Sequence, residues 1–466
     1  MLTAGDILSW TTLPPRLKGM KVTVLGLARS GRAVAELLLE AGCQVFVSDS
    51  AQNQAIQTSA RELQALGVAV ETGAHTERSL ECDFLVRSPG VPADNPILIE
   101  AQHRDKLVVS EIEAASWFCP APIIAVTGSN GKTTTTEWLG DLFRRTGRNV
   151  EVCGNVGRPF SAAVARLDSQ SVAVVEVSSF QLENVIRFRP RAAVITNFSP
   201  DHLDRHDSYE TYLAMKCRIF ERQTLEDLLV YNRGDRELSR RVADAPGREF
   251  SFGLNEPSDS GAGLIGENVI IIDQDGSHSI IASRKVGLPG RHNLENALAV
   301  SSVAWDLGVE KGVIAASLAE FPGVPHRLET VLESEGVLWV NDSKATNIAS
   351  GLVALESYSR PIILLAGGRD KGSNFESVSR RVAAKVRLAI LFGEAGSKME
   401  KAWAAVLPVR RLSSLSDAIR AAFQEAREGD VVLLSPMCAS FDEFKNYEER
   451  GDKFREIVRE ICLKKA

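Results

Sequence analysis

No apolar run in these 466 residues approaches the ~20 that span a bilayer, which argues against a membrane-inserted protein. The opening residues, MLTAGDILSWTTLPPRLKG, lack a basic start followed by an apolar block and a small-residue cleavage site. No secretory signal is therefore expected, and the cytoplasm is the expected compartment. Paired cysteines are missing too. Cys43, Cys82, Cys119, Cys153, Cys217, Cys438 and Cys462 are odd in number, scattered, and never form C-x-x-C, which disfavours a disulfide framework or a zinc site. Nor is there an excess of basic charge: the net charge is -6, with acidic and basic residues mixed, so no nucleic-acid surface is expected.

What is present is alternation. Short Val/Ile/Leu-rich runs trade places with longer helical patterns almost from end to end, the pattern of parallel sheets covered by helices on both faces. A chain of 466 residues exceeds a single core, and the usual domain size suggests about three domains. KVTVLGL, SGRAVAELLLEAG and QVFVSD form a first strand–helix–strand unit, which DFLVRSPG and KLVVS continue. The prolines of FCPAPIIAVTG and of EFPGVPHRLE mark two boundaries. The expected architecture is α/β in three domains: a Rossmann-like domain over 1–117, a central P-loop ATPase-like domain over 118–321, and a Rossmann-like domain over 322–466. In the central domain a Gly-rich stretch, GAGLIGENVIIIDQDGSHSIIAS, predicts a small antiparallel sheet beside the parallel one.

The stretch IIAVTGSNGKTTTTEWLG places a glycine-rich turn between an apolar strand and a Thr-rich helix start. Gly128, Ser129, Asn130 and Gly131 let backbone N–H groups approach phosphate oxygens at a helix N-terminus, while Lys132 reaches the terminal phosphates and Thr133, followed by Thr134, offers a hydroxyl to Mg²⁺. Val126 stands where the full G-x-x-x-x-G-K-[ST] spacing has its first glycine, so the loop is a shortened variant. By itself it serves an ATPase, a kinase, a GTPase or a ligase equally well.

Further along, Glu176 ends an apolar strand, His202 sits in TNFSPDHLDRH, and Lys216 lies in the helical SYETYLAMKCRIF. Loops at the carboxyl ends of parallel strands converge on one crevice, so all three can reach the phosphate loop. Glu176 and His202 are suitable metal ligands beside a nucleotide. The ammonium of Lys216 would be repelled there, and a solvated helix face is its simpler explanation. In the first domain GLARSG resembles a dinucleotide fingerprint, but Ala28 replaces the glycine that lets backbone approach a pyrophosphate, which disfavours an NAD site.

The ordered series TGSNGKTTT, GNVGRP, EVSSFQLE, DHLDRH, YLAMK, GRHNLENALA, PHRLE, NDSKATN, GGRDKG and LSPMCASFDEFKNYEERG resembles the Mur ligases, ATP-dependent amino-acid-adding enzymes of peptidoglycan precursor synthesis. NDSKATN with LSPMCASFDEFKN is most similar to the branch that adds D-glutamate to UDP-N-acetylmuramoyl-L-alanine. The resemblance implies an acyl-phosphate mechanism with ATP and two Mg²⁺ ions. It also implies a carbamylated Lys216, which becomes an anionic ligand alongside Thr133, Glu176 and His202.

Catalytic residues implied by the resemblance are Lys132, Glu176, His202 and Lys216. The resemblance further implies that the third domain closes on ATP with Arg327, Asp342 and Lys344, that Asn296 meets the adenine, and that the amino acid and the acceptor are held as follows. Thr346, Lys371, Ser440 and Tyr447 bind D-glutamate, with Tyr447 standing where Phe is common. The acceptor contacts Ser30 and Gly31 at its diphosphate and Asp49 near uracil, with Ser88, Gly90, Asn155 and His202 in the same path. A monomer with only small-molecule partners is expected. The rival expectations are a Mur or folylpolyglutamate-type ligase for another amino acid, an ATP-hydrolysing regulatory protein, and an NAD-dependent oxidoreductase.

Overall fold

A computed structural model describes residues 2–10, 17–199, 206, 208–257, 259–370 and 372–463. Its first sheet contains β1 (Lys21–Leu25), β2 (Gln44–Asp49), β3 (Ala69–Thr72), β4 (Phe84–Arg87) and β5 (Leu107–Ser110), in the order β3-β2-β1-β4-β5 with every pair parallel. The order reverses between β1 and β4, and a crevice forms outside the carboxyl ends of two such strands. Val22, Val24, Val45, Val47, Phe84 and Val86 pack with Val34 and Leu38 of the helix Arg29–Glu40 into the core of this sheet.

The second sheet has nine strands: β6 (Ile123–Thr127), β7 (Val150–Gly154), β8 (Val172–Glu176), β9 (Ala192–Ile195), β10 (Leu228–Asn232), β11 (Arg248–Phe252), β12 (Gly261–Ile265), β13 (Asn268–Asp273) and β14 (Gly276–Ala282). Their order is β14-β13-β12-β11-β10-β9-β6-β8-β7. Every residue of β6, β8 and β9 is buried, as a strand covered on both faces requires. The expected antiparallel piece is β12–β14, joined to the edge of the same sheet through the parallel pair β11–β12.

The third sheet consists of β15 (Glu329–Ser334), β16 (Val337–Asn341), β17 (Ile362–Gly367), β18 (Val386–Phe392), β19 (Val409–Arg411) and β20 (Val431–Met437), ordered β15-β16-β20-β17-β18-β19 with only β15–β16 antiparallel. Along β17, Ile362, Leu364 and Ala366 enter one core while Ile363 and Leu365 enter another, the period of two that puts a packed layer on each face. β15 and β19 have no apolar run in the sequence. They are edge strands, held by pairing with a neighbour.

The chain divides into two compact units, Met1–Val286 with Glu295–Glu320, and Gly287–Leu294 with Phe321–Ala466. The first unit therefore holds two sheets, and two buried carboxylates join them. In the helix Glu111–Ser116, Glu111 accepts from the Ser161 N–H at 2.7 Å and its hydroxyl at 2.6 Å. Glu113 accepts from Trp117 Nε1 (2.8 Å) and from the backbone N–H groups of Ile186 (2.9 Å), Arg187 (3.0 Å) and Phe188 (2.9 Å). Glu113→Ala leaves these donors buried without an acceptor, and we expect it to cost about 3 kcal/mol or more in urea unfolding. An unchanged midpoint would mean that the Glu113 hydrogen bonds do not help to hold the two sheets together.

Candidate active site

The phosphate loop starts where β6 ends. Gly128 has φ +143°, and a Cβ on it would run into Thr196 Oγ1, so only glycine turns the chain here. Gly131, at φ +83°, is the N-cap of the helix Lys132–Arg145 and makes no side-chain cap hydrogen bond. The positive end of the helix dipole faces the loop, the arrangement that receives phosphate. The segment after β9 braces the loop: Ser129 N–H donates to Asn197 O (2.9 Å), Asn130 N–H donates to Asn197 Oδ1 (2.9 Å), and the Ser129 and Tyr212 hydroxyls lie 2.9 Å apart. Lys132 folds back so that Nζ donates to the carbonyls of Gly128 and Ser129, both at 2.8 Å. Thr133 and Thr134 are buried at the start of the helix, and Asn296 Oδ1 accepts from Thr135 Oγ1 at 3.3 Å.

Glu176 is the last residue of β8 and pairs in register with Val126, which places its carboxylate at the edge where the loop begins. It is 1% exposed. Oε1 accepts from Asn155 Nδ2 at 2.9 Å, whereas Oε2 is buried with no hydrogen-bond partner among the described residues. Lys216 is also buried: Nζ donates to Gly128 O at 2.8 Å and lies 4.8 Å from the centre of the Tyr212 ring. The solvated helix face considered for Lys216 is thus ruled out in favour of a position behind the phosphate loop. His202 lies outside the described residues. His206 does not, and its Nε2 is 2.9 Å from Ser179 Oγ while its ring stacks on Phe180.

At the reversal point of the first sheet a cavity of ≈430 Å³ is lined by Ser30, Asp49, Ser88, Gly90 and Asn155, with His75 in its wall. Gly31 packs so closely that a Cβ would strike Gly26 O, which seats the helix start against the strand end. Asp49 accepts from the N–H groups of Leu27 (2.6 Å) and Ala51 (2.8 Å), and Ser88 Oγ donates to Gly26 O (3.1 Å). Asn155 both lines this cavity and holds Glu176, so one side chain connects the first crevice to the phosphate loop. His75, 2.7 Å from Ser48 Oγ, was not singled out by any motif, because a lone loop histidine carries no sequence signal.

In the second unit β16, β17 and β20 end side by side. Asp342 accepts from Leu328 N–H (3.2 Å) and Ser435 Oγ (2.8 Å), and burial pushes its carboxyl up to about 7 against the opposing effect of Ser435 and Arg327. Arg450 is fully buried; its guanidinium donates to Ser343 Oγ (2.9 Å), Ser343 O (2.8 Å) and Cys438 O (3.1 Å), tying the loop after β16 to the loop after β20. Burial lowers it to about 10. His326, Leu328 and Met437 adopt φ of 63°, 46° and 58°, left-handed backbone that costs such residues of order 1 kcal/mol or more and clusters at functional loops. Lys344 Nζ lies 5.8 Å from the centre of the Tyr447 ring, Thr346 N–H donates to Lys344 O (2.9 Å), and buried Ser440 accepts at its carbonyl from Phe444 N–H (2.9 Å). Lys371 lies outside the described residues. Arg450 sits in the quoted EERG without a role assigned there, since a buried arginine inside a charged helical stretch looks like surface.

Comparison with known proteins gives three family matches: the Mur ligase MurD-like N-terminal domain over residues 20–110, the Mur ligase middle domain over 126–304, and the Mur ligase glutamate ligase domain over 326–438. The UDP-N-acetylmuramoylalanine--D-glutamate ligase of Salinibacter ruber is 43% identical over 459 residues, covering 96% of this chain and 99% of the relative. The protein of the same name from a Thermoanaerobacter species is 40% identical over 450 residues, covering 96% and 99%. Among solved structures, the MurF ligase of Thermotoga maritima in complex with ADP superposes with a TM-score of 0.60 at 16% identity, covering 91% of this chain and 96% of that one, a likeness of fold alone.

The Asp342 geometry predicts a pH dependence. Its folded carboxyl titrates near 7 against an ordinary 3.8, so between about pH 4 and pH 7 the unfolded chain releases a proton that the folded chain keeps. Stability from this group is fully present below about pH 4 and is lost as the pH rises through 7. Asp342→Asn should therefore match the parent protein in thermal unfolding at pH 4 and exceed it at pH 8. Equal midpoints at pH 8 would place the Asp342 carboxyl in the ordinary range.

Proposed function

This chain belongs to the Mur ligase family, and from that premise we propose that it adds D-glutamate to UDP-N-acetylmuramoyl-L-alanine in peptidoglycan precursor synthesis, with ATP converted to ADP and phosphate. The observation that carries the reading is the link through Asn155: the first-sheet crevice, a buried carboxylate and the phosphate loop lie in sequence along one set of contacts. A UDP-linked acceptor held in the crevice by Ser30, Gly31, Asp49, Ser88 and Gly90 directs its carboxylate past Asn155 toward Glu176, and His202 is assigned to the same acceptor. The three functional domains are taken as 1–117, 118–321 and 322–466, acting as a cytoplasmic monomer.

In the proposed reaction a carboxylate oxygen of the acceptor attacks the γ-phosphorus of ATP, and the bond to the β-γ bridging oxygen breaks as ADP leaves. The neutral amine of D-glutamate then attacks the acyl carbon. The acyl carbon–oxygen bond breaks, phosphate departs, and the amine proton passes to solvent. Negative charge accumulates at each step, so preorganised positive groups provide most of the rate. Lys132 exchanges its loop carbonyls for phosphate oxygens, joined by N–H groups at the start of the helix that begins at Lys132. Asn296, Arg327, Asp342 and Lys344 are assigned to ATP, and Thr346, Lys371, Ser440 and Tyr447 to D-glutamate.

The buried, unpartnered Oε2 of Glu176 fits a hard cation, and Thr133, His202 and Lys216 complete the proposed ligand set for two Mg²⁺ ions. The unmodified ammonium of Lys216 does not fit such a set; its carbamate does, as an oxygen donor. When bound, Mg²⁺ supplies positive charge against phosphate oxygens.

Phosphate release with UDP-N-acetylmuramoyl-L-alanine and ATP should depend on D-glutamate and not on L-glutamate, L-alanine, D-alanine or meso-diaminopimelate. Dependence on one of the others would keep the ligase chemistry and move the amino-acid assignment, and release without acceptor would leave only an ATPase. Lys216→Ala should lower kcat by about 10²-fold or more, with partial recovery on adding short-chain carboxylates that stand in for the carbamate. Activity equal to the parent protein would remove Lys216 from the metal set.

A further inference from the structure

Arg87 ends β4, one residue before Ser88 of the acceptor crevice, and its side chain is only 6% exposed. A guanidinium withdrawn this far from water is held by the donors it does use, here Nε and Nη1, while Nη2 is buried with no hydrogen-bond partner among the described residues. Nε donates to Val91 O at 2.8 Å and so closes the turn in which Val91 N–H donates to Ser88 O at 3.0 Å. Nη1 donates to the Glu183 carboxylate and, at 3.1 Å, to Asn184 Oδ1. One planar fork thus shapes the loop 88–91 and grips the central sheet's side of the joint.

Glu183 directly follows the helix Ser179–Leu182, which starts three residues after Glu176. Its carbonyl accepts from Arg218 Nη1, and the carbonyl of Val185 accepts from Arg218 Nη2 at 2.6 Å. Arg218 lies two residues past Lys216, at the end of the helix Tyr209–Cys217. The series Ser88–Arg87–Glu183–Arg218–Lys216 therefore connects the loop that grips the acceptor to the helix that carries Lys216.

We propose that Arg87, acting through Glu183, is a positioning residue that sets the acceptor loop against the catalytic edge of the central sheet. The inference rests on the reading that the crevice holds the UDP-linked acceptor and that its far end reacts beside Glu176. Reacting atoms must come within about 3–3.5 Å in line, and an acceptor anchored on one sheet and reacting over another is misplaced by any change at the joint. Lysine cannot substitute, because its single ammonium carries no fixed fork to reach both Val91 O and the Glu183 carboxylate.

The test uses the full-length protein with Arg87→Lys and Glu183→Gln, the second preserving shape and polarity at the joint should the first fold poorly. Titration calorimetry with UDP-N-acetylmuramoyl-L-alanine gives acceptor binding without turnover, and steady-state kinetics gives KM separately for acceptor, ATP and D-glutamate. Expected are acceptor Kd and KM raised at least tenfold in Arg87→Lys and severalfold in Glu183→Gln, with KM for ATP and D-glutamate within twofold. A merely structural tie would lower thermal stability or the active fraction and leave every KM unchanged; that result, or equal rises in all three, overturns the proposal. Acceptor binding by the parent protein without D-glutamate-dependent turnover would overturn the proposed reaction yet still test Arg87 through Kd. No acceptor binding by the parent protein would overturn both.

Discussion

The parallel pairing of β6 with β8 on one side and β9 on the other is the constraint on which the larger unit depends. Parallel strands end at the same edge, so the loop at Gly128, the carboxylate of Glu176 and the bracing segment at Thr196–Ser199 emerge together. Because all three strands are buried on both faces, none can slide to relieve a poor fit in the loop above. The close approach of Gly128 to Thr196 follows directly, as does the burial of Lys216 behind the loop.

Charged groups in this protein are buried where separate pieces of chain must keep a fixed relation. Glu113 collects backbone donors from a segment more than 70 residues away, and Arg87 reaches across 96 residues to Glu183. Arg450 does the same within the second unit, holding two strand-end loops by their carbonyls. Each charge costs desolvation that its hydrogen bonds must offset, so the geometry around it tolerates little displacement. Loops that handle phosphate and carboxylate groups need that rigidity, since their donors must already point at charge that develops during reaction.

The second unit stores strain as well. Left-handed backbone at His326, Leu328 and Met437 surrounds a buried Asp342 whose carboxyl is pushed up by its surroundings. Strained backbone and a desolvated acid both disfavour the folded state locally, and the apolar layers on either face of β17 provide the opposing stability.

The alternation of apolar runs with helical patterns, and with it three α/β sheets, was legible in the sequence because burial on both faces of a strand demands consecutive Val, Ile and Leu. The glycine-rich turn between β6 and its helix was legible too, and so was the strand that Glu176 ends, an acid closing a run of valines. β15 and β19 were not, as edge strands need a partner more than an apolar run. Glu111, Glu113, Arg87 and Arg450 escaped notice for a related reason: a buried charge is identified by partners distant in the chain, and no local pattern records them; His75 escaped because a lone loop histidine carries no pattern at all. The sequence by itself determined the buried strands, the helices between them and the glycine-rich turn after β6, because those are set by neighbouring residues. Only the tertiary structure decided that Asn155 links crevice to carboxylate, that Lys216 lies buried behind the loop, and which charges hold the sheets together, because these depend on contacts between residues that only folding brings together.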